Sequence, residues 1–297
     1  MQFPLPLQPG DTVLFIAPAS CVDFNHLVFA REVLNNWGLE IIDSPLLAKK
    51  HYRFSGILKD RVSEFQEALD NPNIKAIMCV RGWYGMVQLI DALDFGVFLK
   101  QPKWIVGFSD ITVLSTHLAG LGVATIHGSM PLFFSENTPR SLYTLKAALF
   151  GENWRYKIAA TTSNKVGIER GTLIGGNLCT LQGLLRTSSD IQPQGKILFL
   201  EEVNEPLYKI DRMLRHLHRA GKLKTLQGLI IGQFSGIDPK DSFGSSVYEI
   251  IRELTNVYSY PICFDFPVGH EADNLALVCG QEVILQVEEQ EVTLQPN

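Results

Sequence analysis

Long apolar runs are missing from this 297-residue chain. The longest near its start, Val13 to Ala19, is only seven residues, is broken by Pro18 and has no basic residue before it. It is too short for a membrane span and lacks the flanks of a secretory leader, so it reads as a strand, and no membrane partner is expected. Charge of one sign is scarce as a pattern. The 26 Lys and Arg stand against 31 Asp and Glu, a net charge of −5, without long same-sign tracts. No polybasic stripe exists to grip a phosphate backbone, which argues against nucleic acid as a partner. Cysteine is sparse too: Cys21, Cys79, Cys179, Cys263 and Cys279 include no CxxC pair. They read as reduced core thiols of a cytoplasmic protein rather than disulfides or metal ligands. Nucleotide-binding loops are also lacking. There is no G-x-G-x-x-G, and Gly171-Thr-Leu-Ile-Gly-Gly-Asn177 lacks the GK[ST] ending of a P-loop.

What is present is core material: 46% apolar and 10% aromatic residues against 19% charged. Single cores stop growing at roughly 250–300 residues, so the length suggests two domains. In the first half, apolar runs alternate with helical patterns, the rhythm of a parallel sheet covered by helices. Strands are expected at Thr12–Ala17, Leu39–Ile42, Ile74–Val80 and Trp104–Val106. Helices are expected through Val28, Val33 and Leu34 up to Gly38, through Val62, Phe65 and Leu69, and over Asp110–Ala119. After about Asn153 short β-like runs follow closely, at 198–200, 229–231, 263–266, 275–278, 283–287 and 291–294, with one clear helix at Ile210–Ala220. The expected organisation is an α/β domain over 1–152, a flavodoxin- or Rossmann-like parallel sheet with helices on both faces. A linker over 153–170 and a β-rich, barrel-like domain over 171–297 complete it.

The segment Pro102-Lys-Trp-Ile-Val-Gly-Phe-Ser-Asp-Ile-Thr112 carries most information. A buried strand runs into Gly107, and Ser109 follows just before a helix, where a turn holds a serine out over the sheet edge as a nucleophile elbow does. The N–H of Asp110 would then face a developing oxyanion. Ser109 or Asp110 could equally cap the helix, and Ile111 stands where the elbow's second glycine belongs. Arg81-Gly-Trp-Tyr-Gly85 follows another buried strand, so it too opens at the ligand-binding edge. Its glycines let backbone approach a substrate and Arg81 suits a carboxylate, although a plain turn with a surface arginine fits as well. A nucleophilic serine needs a base and an acid to orient it. Among seven histidines, His127 and His270 end apolar runs, and Leu200-Glu-Glu-Val203 places Glu201 and Glu202 at a strand end. Alternation lets only one of the two carboxylates face a given cleft and does not choose between them.

Arg-Gly-Trp-Tyr-Gly at 81–85, Gly-Phe-Ser-Asp-Ile-Thr at 107–112, Gly-Gly-Asn-Leu at 175–178, Leu-Glu-Glu-Val-Asn-Glu-Pro-Leu-Tyr-Lys-Ile-Asp-Arg-Met-Leu at 200–214 and Gly-His at 269–270 occur together in order. In this the sequence resembles the LD-carboxypeptidase family, the murein tetrapeptide peptidases, over nearly its whole length. The resemblance implies a serine peptidase that needs no metal or other cofactor. Ser109 is then the nucleophile, His270 the general base and Glu201 its orienting acid, with Glu202 as fallback. The N–H groups of Asp110 and Gly82 form the oxyanion hole, and Arg81 and Trp83 meet the substrate. The implied reaction releases terminal D-alanine from the L-centre of the third residue, usually meso-diaminopimelate, of muropeptides recycled in the cytoplasm, by an enzyme often homodimeric. Relatives that confer microcin C immunity cut peptidyl or aminoacyl nucleotides instead, and a binding protein without turnover is a further alternative. Family members usually read Arg-Gly-Gly-Tyr-Gly, so Trp83 is a departure that bears on the substrate.

Overall fold

The computed structural model describes all 297 residues. Its first half contains β1 (Thr12–Ile16), α1 (Val28–Asn36), β2 (Glu40–Asp43), α2 (Leu58–Asp70), β3 (Ile74–Cys79) and α3 (Met86–Leu89). These are followed by β4 (Trp104–Val106), α4 (Thr112–Gly120), β5 (Thr125–His127) and α5 (Pro139–Phe150). The second half contains β6 (Tyr156–Ala159), β7 (Gly167–Asn177), α6 (Leu178–Gly183), β8 (Lys196–Val203), α7 (Leu207–Arg219), β9 (Gly228–Ser235) and α8 (Val247–Thr255). It ends with β10 (Ile262–Cys263), β11 (Leu277–Cys279), β12 (Glu282–Val287) and β13 (Glu291–Pro296).

Strands β2-β1-β3-β4-β5 lie side by side in flavodoxin-like order, and all are parallel, as the buried β-branched runs predict. Both faces of this sheet are apolar. Phe15, Met78 and Val106 pack on one side with α1 and α5, while Ile77, Ile105 and Phe108 pack on the other with α2 and α4. The second sheet runs β10-β9-β8-β7-β12-β13-β6. Its first four strands are parallel and carry α6, α7 and α8, and the rest is an antiparallel meander. The edge strand β10 is met by the β6–β7 connection, where Lys165 exchanges both backbone hydrogen bonds with Ile262, at 2.9 and 3.0 Å.

Two features differ from the sequence reading. The stretch 153–170 contains β6 and the start of β7. Strand β11, far along the second half, pairs antiparallel with β5 of the first sheet. Alternation explains how it serves both: Ala276 and Val278 enter the first core, while Leu275, Leu277 and Cys279 enter the second. The halves also touch at Gly176, where a Cβ would lie 2.5 Å from Thr112 Oγ1 and 2.6 Å from its Cγ2. That hydroxyl accepts the Asn177 N–H at 3.2 Å. Gly176→Ala should therefore push β7 from α4 and, with the strain of a φ near 142°, lower the unfolding free energy by about 1–3 kcal/mol in urea titrations. An unchanged midpoint would mean that this approach is not tight.

Candidate active site

In the order β2-β1-β3-β4-β5 the winding reverses between β1 and β3, and a crevice opens there beyond the carboxyl ends of the strands. Three turns reach it: Pro18–Ser20, Arg81–Gly85 and Gly107–Asp110. They are tied from below by Arg61 of α2, a buried arginine that sequence reading missed because α2 otherwise shows an ordinary polar face. Its guanidinium donates to the Pro18 carbonyl at 2.9 Å and to Gln88 Oε1 at 2.7 Å, and lies 4.2 Å from the Phe54 ring centroid. Gly85 is needed beside it, since a Cβ would come within 2.7 Å of Ala19 Cα. The Asp110 carboxylate accepts the Met86 N–H at 2.7 Å. Burial pushes the Asp110 carboxyl up to about 6, against the pull of that hydrogen bond and of Arg61.

Ser109 stands on this frame at φ 63°, a left-handed conformation that costs a residue with a Cβ about 1–2 kcal/mol. It follows the extended Phe108 and opens a 3₁₀ turn leading into α4. The strand, the strained residue and the helix start follow one another as they do in a nucleophile elbow. Ile111, in place of the second glycine, folds back over Gly107, whose missing Cβ would lie 2.9 Å from Ile111 Cγ1. Across the crevice Gly82 faces the serine: a Cβ there would be 3.3 Å from Ser109 Oγ. The Gly82 N–H has no protein acceptor, while its carbonyl accepts the Ser20 N–H at 3.3 Å.

The second half supplies His270 and Glu201. His270 Nδ1 and Glu201 Oε2 are 2.7 Å apart, and the glutamate is fully buried. Burial disfavours the charged imidazole, but Glu201, through its charge and hydrogen bond, outweighs it and raises the His270 pKa above 6.5. Glu202 turns the other way. It accepts from Asn177 Nδ2 at 2.9 Å and from the backbone N–H groups of Cys179 and Val203, both at 2.8 Å, and burial pushes it up to about 7. Along β8, Ile197 and Phe199 enter one core and Leu198 and Leu200 the other, so alternation turns Glu201 and Glu202 to opposite faces, both of them covered.

His270 is aimed by groups the sequence did not reveal. Gly269, at φ 145°, passes so close to Gln233 that a Cβ would be 3.1 Å from its side chain, and its N–H donates to Asn274 Oδ1 at 3.1 Å. Gln233 Nε2 donates to the Asp273 carbonyl at 3.1 Å, and Thr138 and Ser141 of the first half hold Asp273 and the Asn274 carbonyl at 2.7 Å each. The imidazole packs edge-on against Phe108, centroids 4.7 Å apart, one residue before Ser109. No hydrogen bond joins Ser109 to His270, so the structure brings the histidine and glutamate into contact and the serine to their side. His127, the other candidate base, is buried between Phe108 and Phe199; burial lowers it to about 4, despite the pull of Glu201, and it stays neutral.

Arg81 donates to the Cys21 carbonyl at 2.9 Å, and its guanidinium carbon lies 5.5 Å from the Trp83 ring centroid. Trp83 adopts φ 85° with its side chain outward, 65% exposed, so the positive φ that glycine would favour is kept here by a strained indole. Nowhere are three or more His, Cys, Asp or Glu side chains grouped to hold a metal ion, and no helix is long and apolar enough to cross a membrane.

Comparison with known proteins places the chain in a family. Residues 13–128 match the LD-carboxypeptidase N-terminal domain and residues 170–285 the LD-carboxypeptidase C-terminal domain. The chain is 30% identical to the murein tetrapeptide carboxypeptidase of Pseudomonas aeruginosa, covering 94% of each protein. It is 26% identical to the microcin C7 self-immunity protein MccF of Escherichia coli over 97% of this chain and 94% of that one. The crystal structure of muramoyltetrapeptide carboxypeptidase from Oxalobacter formigenes superposes with a TM-score of 0.89 at 28% identity, covering 96% of this chain and 98% of the other. On matching domains, fold and length, this chain belongs to the LD-carboxypeptidase family.

Proposed function

We propose that this protein is a serine carboxypeptidase that removes terminal D-alanine from murein tetrapeptides by cutting its bond to the L-centre of the third residue. The observation that carries the reading is the 2.7 Å contact between His270 and a fully buried Glu201 beside the strained turn of Ser109. Glu201 occupies Nδ1, so Nε2 is the nitrogen left to take the serine proton. Ser109 Oγ attacks the scissile carbonyl carbon, and the oxyanion is met by the N–H groups of Asp110 and Gly82. Collapse breaks the C–N bond, and the imidazolium returns the proton to the departing amine of D-alanine. Water, deprotonated by His270, then hydrolyses the acyl ester and frees Ser109. The open serine–histidine contact fits this sequence, since such hydrogen bonds often tighten only around substrate. Arg81 is the group for the terminal carboxylate. The same reading makes the protein a cytoplasmic homodimer acting on recycled muropeptides.

A second reading is favoured by the exposed indole of Trp83 and the 43%-exposed Tyr84, which offer flat faces to a base: hydrolysis of an aminoacyl nucleotide, as the likeness to MccF suggests. Both readings are tested by offering purified protein UDP-MurNAc-tetrapeptide and, separately, aspartyl sulfamoyl adenosine, with EDTA present. D-alanine release that survives the chelator and falls by about 10⁴- to 10⁶-fold in Ser109→Ala is expected. Cleavage of the nucleotide alone would give the second reading first place.

The acid limb of kcat/KM gives an independent check. A general base must be neutral, and a raised His270 pKa puts loss of activity on acidification above the ordinary 6.5. Glu201→Gln removes the largest pull on the imidazolium and leaves burial opposed only by the weaker pull of Glu202 and Glu271, so the limb should move to lower pH while the plateau drops by up to about 10⁴-fold. A limb that stays in place would take Glu201 out of the assignment.

A further inference from the structure

The mouth of the crevice carries two arginines that form no ion pair within the protein. Arg31, Arg140 and Arg215 each meet a carboxylate, but neither Arg53 nor Arg81 does, in a chain whose net charge is −5. Both instead lie against one side chain. The guanidinium carbons of Arg53 and Arg81 stand 5.4 and 5.5 Å from the Trp83 ring centroid, within the range where the ring quadrupole attracts a cation. The segments that bear them are knitted together. The Arg53 carbonyl accepts the Cys21 N–H at 2.8 Å, the Cys21 carbonyl accepts from Arg81 at 2.9 Å, and Ser20 N–H reaches the Gly82 carbonyl at 3.3 Å. Gly82 faces Ser109, so this charged wall begins one residue from the reacting centre. Two like charges held near one ring repel each other, and a bound anion relieves that repulsion while gaining two forked donors. The indole, already engaged by two guanidiniums, works better as their platform than as a stacking partner for a base.

We propose that Arg53, Trp83 and Arg81 form a carboxylate-reading wall in which Arg81 takes the terminal carboxylate of the peptide and Arg53 takes a second one, on the side chain of the third residue. This rests on the carboxypeptidase reading for the position of the scissile bond. It makes Arg53 a specificity residue that selects meso-diaminopimelate, which has a free side-chain carboxylate, over lysine, which has none. The platform also gives an exposed tryptophan at positive φ a role: both guanidiniums lie within 5.5 Å of its ring centroid.

Binding to the Ser109→Ala protein, measured by calorimetry, separates this from the chemistry. The probes are two L-Ala-γ-D-Glu-X-D-Ala tetrapeptides with meso-diaminopimelate or L-lysine as X. The diaminopimelate peptide should bind about five- to tenfold tighter, an advantage that shrinks in high salt and falls to within about twofold when Arg53→Ala is added. Trp83→Ala, which frees the guanidiniums without removing them, should reduce it in part. Equal affinity for the two peptides, no binding of either, or an advantage that survives Arg53→Ala overturns the proposal. The two readings fail separately. Arg53-dependent preference in a protein whose wild type releases no D-alanine removes the peptidase and keeps the wall, whereas D-alanine release without preference does the reverse.

Discussion

A fully buried carboxylate must be answered by another polar group, and Glu201 finds that answer in His270. Much of the site follows from this pair. Glu201 sits at the carboxyl end of β8, where its neighbours Phe199 and Leu200 are fully buried, so it cannot reach water. Its partner has to come to it, on the loop between β10 and β11. That loop is not free to wander, because Gln233 and Asn274 hold its turn and Thr138 and Ser141 anchor it to the first half of the chain. The attraction that neutralises Glu201 also raises the His270 pKa and fixes which ring nitrogen faces the crevice.

The Ser109 side of the crevice is built by strain rather than charge. Ser109 and Trp83 both hold positive φ, each on a turn after a parallel strand. Such conformations persist only where surroundings over-determine them. Here Arg61 and Asp110 do so from beneath, one binding the carbonyl of the first turn and the other an N–H at the end of the second. The buried ionisable groups under the crevice are thus positioning devices: they shape three turns into one surface while their charges stay away from the substrate.

Much of this was legible in the sequence, and the misses have physical causes. Apolar runs gave β1, β3 and β4 because parallel strands covered on both faces read as continuous hydrophobic segments. The family's ordered motifs pointed to Ser109, Glu201 and His270 without showing their contacts. Alternation could not choose between Glu201 and Glu202, since the sheet is covered on both faces and buries both. Strand β7 was hidden by Gly175 and Gly176, whose glycine character reflects close approach to Phe199 and Thr112 rather than a loop. The defection of β11 to the first sheet was out of reach: its pairing with β5 joins residues some 150 apart, and local pattern carries no record of such a partner. Arg61 and Gln233 were missed for the same reason, as polar residues look solvated until tertiary structure encloses them.

Strand β11 matters beyond topology. A site whose serine and histidine come from different halves loses rate steeply if the halves drift, about 100-fold for a 1 Å displacement. One strand that hydrogen-bonds to the first sheet and fills the second core with alternate side chains removes that freedom, and the loop bearing His270 leads directly into it. The mouth is built differently. Arg53 and Trp83 are exposed, lie on loops and contact neither Glu201 nor His270, so their identity can change with little disturbance to the strand ends beneath. Trp83 stands on that rim: it holds a strained positive φ and leaves Gly82 and Ser109 face to face.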